Sequence, residues 1–201
     1  SSFFSRGPQI VDVNDAVIRL GFDLVSNVVL LAESYANVAN SEFLDMHEEQ
    51  LHALAISKLA SEIVPAELKQ ATILAGLLHE IGKHVLLSAF PDKARVYVAD
   101  NREGKTPSDI VAFEREVFQT DHAQLGAYML LLWGFPNTVI DGVLYHHRPD
   151  KLLQEALGVS AAIYIADTLV HQMEPDEKLV EHFNLQGEMH EWKNRAISLV
   201  E

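Results

Sequence analysis

The sequence predicts an all-α protein. Apolar residues recur at intervals of three and four along most of the chain, as at Leu24, Val28, Leu31 and Tyr35, and this spacing places them on one face of a helix. Several prolines stand where a helix would begin. The sequence contains no convincing run of the alternating apolar and polar residues that are typical of a half-buried strand. The predicted fold class is therefore an all-α helical bundle.

Apolar spacing, capping residues and stop signals together predict the individual helices. Thr106 with Asp109 approximates a capping box, Asp121 is a good N-cap, and Gly82 is expected to bend the chain. From Glu174 onward the chain is polar and only weakly periodic. In chain order, the predicted helices are 15–20, 22–37, 45–63, 65–79, one starting at 91, one starting at 107, 121–133, 136–147 and 159–171.

The composition limits the classes of function. The chain has 201 residues, of which 48% are hydrophobic, and this suffices for one domain or for two small lobes that share a core. The net charge of −14 disfavours a nucleic-acid partner, because binding a phosphate backbone needs a field of Lys and Arg. The chain has no cysteine, which excludes disulfides and thiolate metal sites. A metal would need imidazole and carboxylate ligands, which suit Zn, Fe, Mn or Co.

The sequence gives weaker information about location. No apolar run reaches the length of a transmembrane helix, and no signal-peptide pattern is present, so we expect a cytoplasmic protein without a membrane partner. The chain begins with Ser1 and Ser2 instead of an initiator Met. This beginning suggests a fragment of a longer protein.

Asp167 is the first candidate for chemistry. It lies four residues after Ile163 and three before Val170, on the same apolar helix face. A carboxylate in that position is costly unless it is paired or bound to a metal. The alternative is a carboxylate at the helix edge that reaches solvent or pairs with Lys or Arg, since carboxylates are mostly exposed.

Histidines on apolar faces form the second group of candidates. His52 lies three residues before Ala55 on an inward stripe, and His146 and His147 lie three and four residues after Val143. Any one of them could be a hydrogen-bonded core histidine. Adjacent residues on a helix are about 100° apart, so both members of the pair reach one buried cluster only if it lies beside the helix end. The pair therefore favours two ligands of one centre.

The segment 77–83, LLHEIGK, places three more candidates at the end of an apolar helix. His79 and Glu80 are adjacent, so both can bind metal where the helix unwinds, and the carboxylate can bridge two cations. Lys83 offers either a phosphate contact or a charge that the helix dipole favours. His122 lies in the first turn of its helix and can point into a cleft. The remaining histidines, which we expect on the surface, are His47, His84, His171, His182 and His190.

The order of these motifs resembles the HD-domain superfamily, and their wording is similar to its HDOD branch, the HD-related output domain. Five segments of this chain resemble motifs of that branch, which are A-G-L-L-H-D-I-G-K, D-H-A-x-x-G-A, W-x-x-P, H-H-x-P and A-I-x-x-L-G. Together they span most of the chain, up to about residue 171. In the same order as these motifs, the matching segments are 75–83 (AGLLHEIGK), 121–127 (DHAQLGA), 133–136 (WGFP), 146–149 (HHRP) and 16–21 (AVIRLG).

The resemblance implies an all-α, HD-domain-like helical bundle in a bacterial signalling protein. The family's first helices would precede Ser1. We expect N-terminal helices over 1–40, an HD-like core over 41–173 and a C-terminal helical segment over 174–201. The resemblance also implies one metal site formed by His52, His79, Glu80 and Asp167. Through Glu80 it implies a second site with His122, His146 and His147.

Two departures from the family pattern bear on activity. The family has Asp where this chain has Glu80, and the extra methylene moves the carboxylate by roughly an ångström, which is enough to disturb a bridging geometry. The HD-GYP phosphodiesterases follow their His pair with D-G-x-G-Y-P, whereas Arg148, Pro149 and Asp150 stand here. Both departures argue against hydrolysis of cyclic dinucleotides.

Three functional hypotheses follow. The leading one is a regulatory output module that acts through signalling proteins, with a vestigial or structural site for Fe, Mn, Zn or Ni, or with no metal. The second is a metal-dependent phosphohydrolase of cyclic dinucleotides or nucleotides, in which a cation activates water and Lys83 steadies the phosphoryl charge. The third is a packing domain whose His and Asp residues form a closed polar network. Self-association is left open.

Overall fold

A computed structural model describes residues 43–100, 105–153 and 156–200, all within the second of two compact units, Ser1–Asn40 and Ser41–Glu201. The predicted helices 15–20 and 22–37 lie outside the described residues. The described elements contain helices and no strands, so the all-α prediction is confirmed. They are α1 Met46–Ile63, a 3₁₀ turn Ala66–Leu68, α2 Lys69–Leu78, α3 Ile81–Ala89, α4 Pro91–Ala99, α5 Pro107–Phe118, α6 His122–Leu132, α7 Asn137–Tyr145, α8 Pro149–Leu152, α9 Val159–Val170, α10 Glu177–His182 and α11 Met189–Val200.

Side-chain caps fix where α1, α5 and α6 begin. The Asp45 carboxylate accepts hydrogen bonds from two backbone N–H groups in the first turn of α1. Thr106 and Asp109 form the predicted capping box at the start of α5. Asp121 caps α6 by accepting from the backbone N–H of Gln124. Each cap satisfies N–H groups that have no partner within the helix.

The chain breaks between α2 and α3 at His79 and Glu80, two residues before the predicted bend at Gly82. Gly82 instead lies in the first turn of α3. A Cβ added to it would lie 2.0 Å from the carbonyl oxygen of His122, so α3 and α6 approach closely at this point. This glycine serves helix packing and not a turn.

The core is organised around α9, in which 11 of 12 residues are buried. This helix packs against α1, α2, α7 and α11. On the other side of α7, α6 packs against both α7 and α3. Because these helices converge, the α2–α3 break, the start of α6 and the end of α7 meet beside α9.

A second apolar cluster joins α3, α4 and α5. Its buried members are Leu86, Leu87, Ala94, Tyr97 and Phe118. We call α4 and α5 together the α4–α5 arm.

The weakly periodic C-terminal part contains α10 and α11. Their burial is concentrated in few residues, since Leu179 is the buried residue of α10 and Ala196 that of α11. A helix that docks through so few positions leaves a weak apolar pattern in the sequence.

None of the described helices is by itself long and apolar enough to cross a membrane. Ala66–Ala89 and Pro91–Ala99 reach that length and composition only as a pair, and the pair is bent by 115°.

Candidate metal centre

The seven predicted metal ligands lie together beside α9, and His171 joins them. Their ligand atoms form three overlapping sets, and within each set the atoms lie within 4.8 Å of one another. The sets share members, since Glu80 belongs to two of them and His52 to two. The sets are Glu80 with His122, His146 and His147; His52 with His79 and Glu80; and His52 with Asp167 and His171.

Helix ends supply most of these side chains. His79 and Glu80 stand at the α2–α3 break, His122 is the first residue of α6, and His146 is the C-cap of α7. At such ends the backbone no longer follows one helix, so neighbouring side chains can turn toward the same point. This explains how an adjacent pair can contribute to one cluster.

Hydrogen bonds to the backbone fix the orientation of two histidines. His79 Nδ1 lies 2.7 Å from the carbonyl oxygen of Gly76, and His146 Nδ1 lies 2.5 Å from that of Val143. A carbonyl oxygen only accepts, so each Nδ1 must carry the proton and donate. Each Nε2 is then a lone-pair donor in the neutral ring, the form that binds metal.

His122 is oriented in the same way by a carboxylate. Its Nδ1 lies 2.6 Å from Glu114 Oε2, and its Nε2 lies 3.1 Å from His146 Nε2. Two lone pairs at this separation repel unless a proton or a cation lies between them. Two nitrogens that each bind one ion at ~2.1 Å stand roughly 3.0–3.4 Å apart, so the pair suits a shared cation.

Several buried atoms of the cluster have unused bonding capacity. His79 Nε2, Glu80 Oε2 and Asp167 Oδ1 are buried, and no described residue forms a hydrogen bond with them. Asp167 Oδ1 does lie 3.1 Å from His171 Nδ1 and 3.6 Å from His52 Nε2. Buried polar atoms without hydrogen bonds are rare and call for a partner. A bound cation would satisfy all three atoms, so these residues fit a divalent metal.

The electrostatics keep the central histidines neutral. Burial lowers the pKa of His79 to about 3, and burial together with neighbouring histidines lowers the pKa values of His146 and His147. Neutral imidazole is the form that binds a metal.

The carboxylates of the cluster are ionised. Burial alone would raise the pKa of Glu80, but the charges of His122 and Lys83 hold it well below its usual value. Burial likewise opposes ionisation of Asp167, but the close contact with His171 and the charges of His171 and His147 lower its pKa. Ionised carboxylates beside neutral imidazoles are the ligand forms that a divalent cation needs.

Two other imidazoles of the cluster, those of His122 and His171, behave differently. Burial would lower the pKa of His122, yet the charges of Glu80 and Glu114 raise it to about 9. The close contact of its Nδ1 with the Asp167 carboxylate raises the pKa of His171 to about 9. Without a cation, protons on these two rings balance part of the carboxylate charge.

A cavity of about 420 Å³ opens onto the cluster. Five ligand candidates reach it, and the rest of its wall includes charged side chains of both signs. The site residues on its wall are His52, Glu80, His122, His147 and His171. Charged groups around them include Glu48, Glu49, Lys83 and Lys105. A small molecule could therefore approach the metal candidates from this cavity.

Lys83, predicted as a phosphate contact or as a charge favoured by a helix end, contacts carboxylates. Its Nζ lies 2.9 and 3.1 Å from the two oxygens of Glu49 and 3.5 Å from Glu80 Oε2. It stands in the first turn of α3, where the helix dipole disfavours a cation. The dipole interpretation is therefore wrong, and the carboxylates account for its position.

Sequence reasoning missed three residues near the centre. His171 is exposed, as expected, but it lies one turn after Asp167 and contacts it, and the i+4 spacing in the sequence could have indicated this contact. His84 was also expected on the surface and is buried, 3.8 Å from Glu49. Glu114 lies on the buried face of α5 with Val111 and Phe118, so the argument used for Asp167 applies to it equally. His47, His182 and His190 are also exposed, as predicted.

Solved structures share this fold. An HDOD domain protein from Geobacter sulfurreducens matches with a TM-score of 0.61 and 20% identity, over 99% of this chain and 78% of that one. A provisionally named signal transduction protein from Marinobacter aquaeolei matches at 0.60 and 21%, over 100% and 49%. A provisionally named phosphohydrolase from Shewanella amazonensis matches at 0.59 and 17%, over 96% and 78%. At these identities the similarity shows the fold alone.

Sequence comparisons identify the family. An uncharacterized protein of Treponema pallidum is 23% identical over 94% of this chain, which spans 38% of the length of that relative. The family model of the HDOD domain matches residues 1–149. Together with the all-α fold, this match shows that the chain belongs to the HDOD domain family.

Proposed function

We propose that this chain is a regulatory output domain of HDOD type whose core binds one or two divalent cations. The main support for a bound metal is that the Nε2 atoms of three histidines point into the same cluster. The Nδ1 atoms of His79, His122 and His146 each bond outward, to Gly76, Glu114 and Val143. Their Nε2 atoms therefore point into the cluster, where those of His122 and His146 lie 3.1 Å apart and that of His122 lies 3.6 Å from Glu80 Oε1. A closed polar network would pair every one of these atoms, whereas His79 Nε2 is buried and forms no hydrogen bond with a described residue.

The chemistry of the bound cation would follow from this donor set. A divalent ion held by imidazole and carboxylate would supply charge and Lewis acidity. The residues themselves hold the ion: Glu80 joins the two halves of the cluster, and the backbone carbonyls keep the rings in one tautomer. The site then stabilises the junction of α2, α3, α6, α7 and α9 by cancelling buried negative charge.

The surroundings of the cluster favour regulation over phosphoryl transfer. Lys83 lies 2.9 Å from Glu49 and 3.5 Å from Glu80, so carboxylates already contact the cation that would stabilise a bound phosphate. The sequence after His147 lacks the D-G-x-G-Y-P signature. We infer that signalling proteins are the partners and that hydrolysis is not the main activity.

A metal-dependent phosphohydrolase is the second candidate. The observation that favours it is the cavity of about 420 Å³, because it gives a small molecule access to Glu80, His122 and His147. A purely structural metal would need no such access. The name of the Shewanella neighbour points the same way, but its 17% identity supports only the fold.

The metal is tested by elemental analysis and by calorimetric titration of Zn²⁺, Mn²⁺ and Fe²⁺ into chelator-treated protein. We expect stoichiometric binding in the wild type and its loss in His79→Ala. The matched control is His190→Ala, which removes an exposed histidine outside the cluster. Binding that is equally strong in both variants would exclude the proposed centre.

A measurement of substrate turnover distinguishes the two candidate functions. Metal-loaded protein is incubated with a cyclic dinucleotide and with nucleotides, and products are separated by chromatography. We expect little or no product. Turnover that requires the cation and is lost in His79→Ala would replace the regulatory proposal with the hydrolase.

A further inference from the structure

Glu114 is a buried carboxylate that connects the α4–α5 arm to the candidate metal centre. It lies on α5 and is 1% exposed. Its Oε1 accepts from the Tyr97 hydroxyl at 2.9 Å, and its Oε2 accepts from the backbone N–H of His122 at 2.9 Å. The same Oε2 accepts from His122 Nδ1 at 2.6 Å. One side chain therefore contacts α4 and α6 at once.

The contact with His122 determines which nitrogen of its ring is available to a cation. Because Nδ1 donates to Glu114, Nε2 is the atom left to face Glu80, His146 and His147. A carboxylate on the far nitrogen of a metal-binding histidine fixes its tautomer and orientation and raises its basicity as a ligand. Since the backbone N–H of His122 is bound as well, Glu114 also holds the start of α6 in place.

The contact with Tyr97 ties Glu114 to the packing of the arm. Tyr97 is buried in the apolar cluster of α3, α4 and α5. Its ring is stacked with Phe113 at 6.1 Å between centroids and meets Phe118 edge-on at 5.7 Å. A shift of α4 against α5 would therefore move the hydroxyl from which Glu114, itself on α5, accepts a hydrogen bond.

We propose that Glu114 is a positioning residue that couples cation binding at the centre to the packing of the α4–α5 arm, which makes the arm the output element of the domain. This proposal rests on the proposed function, because it needs a cation that binds at His122. If ordering of the arm increases the affinity for the cation, then binding of the cation must shift the arm toward its ordered state by the same factor.

The first measurement is cation affinity. In Glu114→Gln the neutral amide weakens the bond to His122, and we expect calorimetric affinity for Zn²⁺ or Mn²⁺ to fall about 10–100-fold, as for other partners of metal-binding histidines. The control is Glu116→Gln, which makes the same charge change on the exposed face of α5 and should leave affinity unchanged. Circular dichroism and thermal unfolding establish that both variants fold.

The second measurement is amide hydrogen exchange with and without the cation. We expect the cation to raise the protection of 91–99 and 107–118 in the wild type and in Glu116→Gln, but not in Glu114→Gln. Tyr97→Phe removes the hydroxyl and leaves the bond from Glu114 to His122. It should keep most of the affinity and lose much of the added protection in α4, an outcome that a merely structural role of Glu114 would not produce.

The outcomes separate the two proposals. A wild type that binds no cation overturns the metal centre and this inference together. A wild type that binds, with equal affinity and equal arm protection in Glu114→Gln and Glu116→Gln, overturns the inference and leaves the metal centre standing. If Glu114→Gln does not fold, Tyr97→Phe decides, because wild-type added protection in that variant overturns the coupling.

Discussion

A Cβ atom added to Gly82 would lie 2.0 Å from the carbonyl oxygen of His122. The same atom would lie 2.7 Å from the backbone nitrogen of Gly126, so α3 and α6 approach through their backbones. Glu80, two residues before Gly82, consequently reaches within 3.6 Å of His122 Nε2. Close helix packing thus brings one proposed ligand to another.

Gly82→Ala should destabilise the fold and weaken cation binding, because α3 and α6 must move apart. We expect the free energy of unfolding to fall by about 3 kcal/mol, at the upper end for overpacking. Urea denaturation measures this change. The control is Gly187→Ala, since a Cβ at Gly187 meets nothing within 4 Å. Equal stability of the two variants would contradict the packing argument.

Glu80→Asp tests the reach of the bridging carboxylate. The sequence led us to expect that the longer Glu disturbs the bridge, yet its oxygens lie near both sets of ligands. Shortening the side chain with the backbone in place should withdraw it from His122 and weaken cation binding on the order of tenfold. Calorimetry measures the effect, with the exposed Glu181→Asp as control. Tighter binding in Glu80→Asp would mean that Glu is the impaired ligand.

Glu49→Gln should increase the affinity of the metal-loaded protein for inorganic phosphate. Removing the Glu49 charge weakens the ion pair at 2.9 Å that engages Lys83 beside the cavity. A gained charge-assisted contact would strengthen binding by roughly tenfold, or about 1.4 kcal/mol. Glu48→Gln is the control, because it removes a charge from the same cavity wall. The gain should disappear in Glu49→Gln combined with Lys83→Met, and a gain that survives there would exclude Lys83.

The stability of the metal-free protein should be greatest near neutral pH. The pKa of His79 is lowered to about 3, so between pH 6.5 and 3 the unfolded chain binds a proton that the folded chain refuses. Stability from this group is therefore lost as the pH falls. The pKa values of His122 and His171 are raised to about 9, so their contribution is full below 6.5 and is lost as the pH rises to 9.

Calorimetric unfolding at pH 5, 7 and 9 in the presence of a chelator checks this maximum. At pH 7 to 8, cation binding should also release protons from His122 and His171, because metal and proton compete for the same rings. The proton release is measured by titration in buffers that differ in ionisation enthalpy. A flat profile between pH 5 and 9, without proton release, would contradict the charge states described above.

Local signals in the sequence predicted much of the described fold. The capping residues Thr106 and Asp121 act through atoms three residues away, so their role can be read without knowledge of the tertiary structure. The C-terminal helices were harder to predict, because α11 buries Ala196 and leaves apolar residues such as Ile197 and Val200 exposed among polar ones. Gly82 was placed at a bend, since a helix partner that approaches from elsewhere in the chain leaves no local trace.

For the candidate site, residue type and position along the predicted helices indicated which side chains are candidate ligands, among them His52, His79, His122 and Asp167. The tertiary structure decided which groups form hydrogen bonds and ion pairs with the side chains of the site. Glu114 accepts from His122, Glu49 engages Lys83, and His171 contacts Asp167. The physical reason is range: periodicity and capping act within a few turns, whereas these partnerships, apart from the i+4 pair of His171, depend on how separate helices pack.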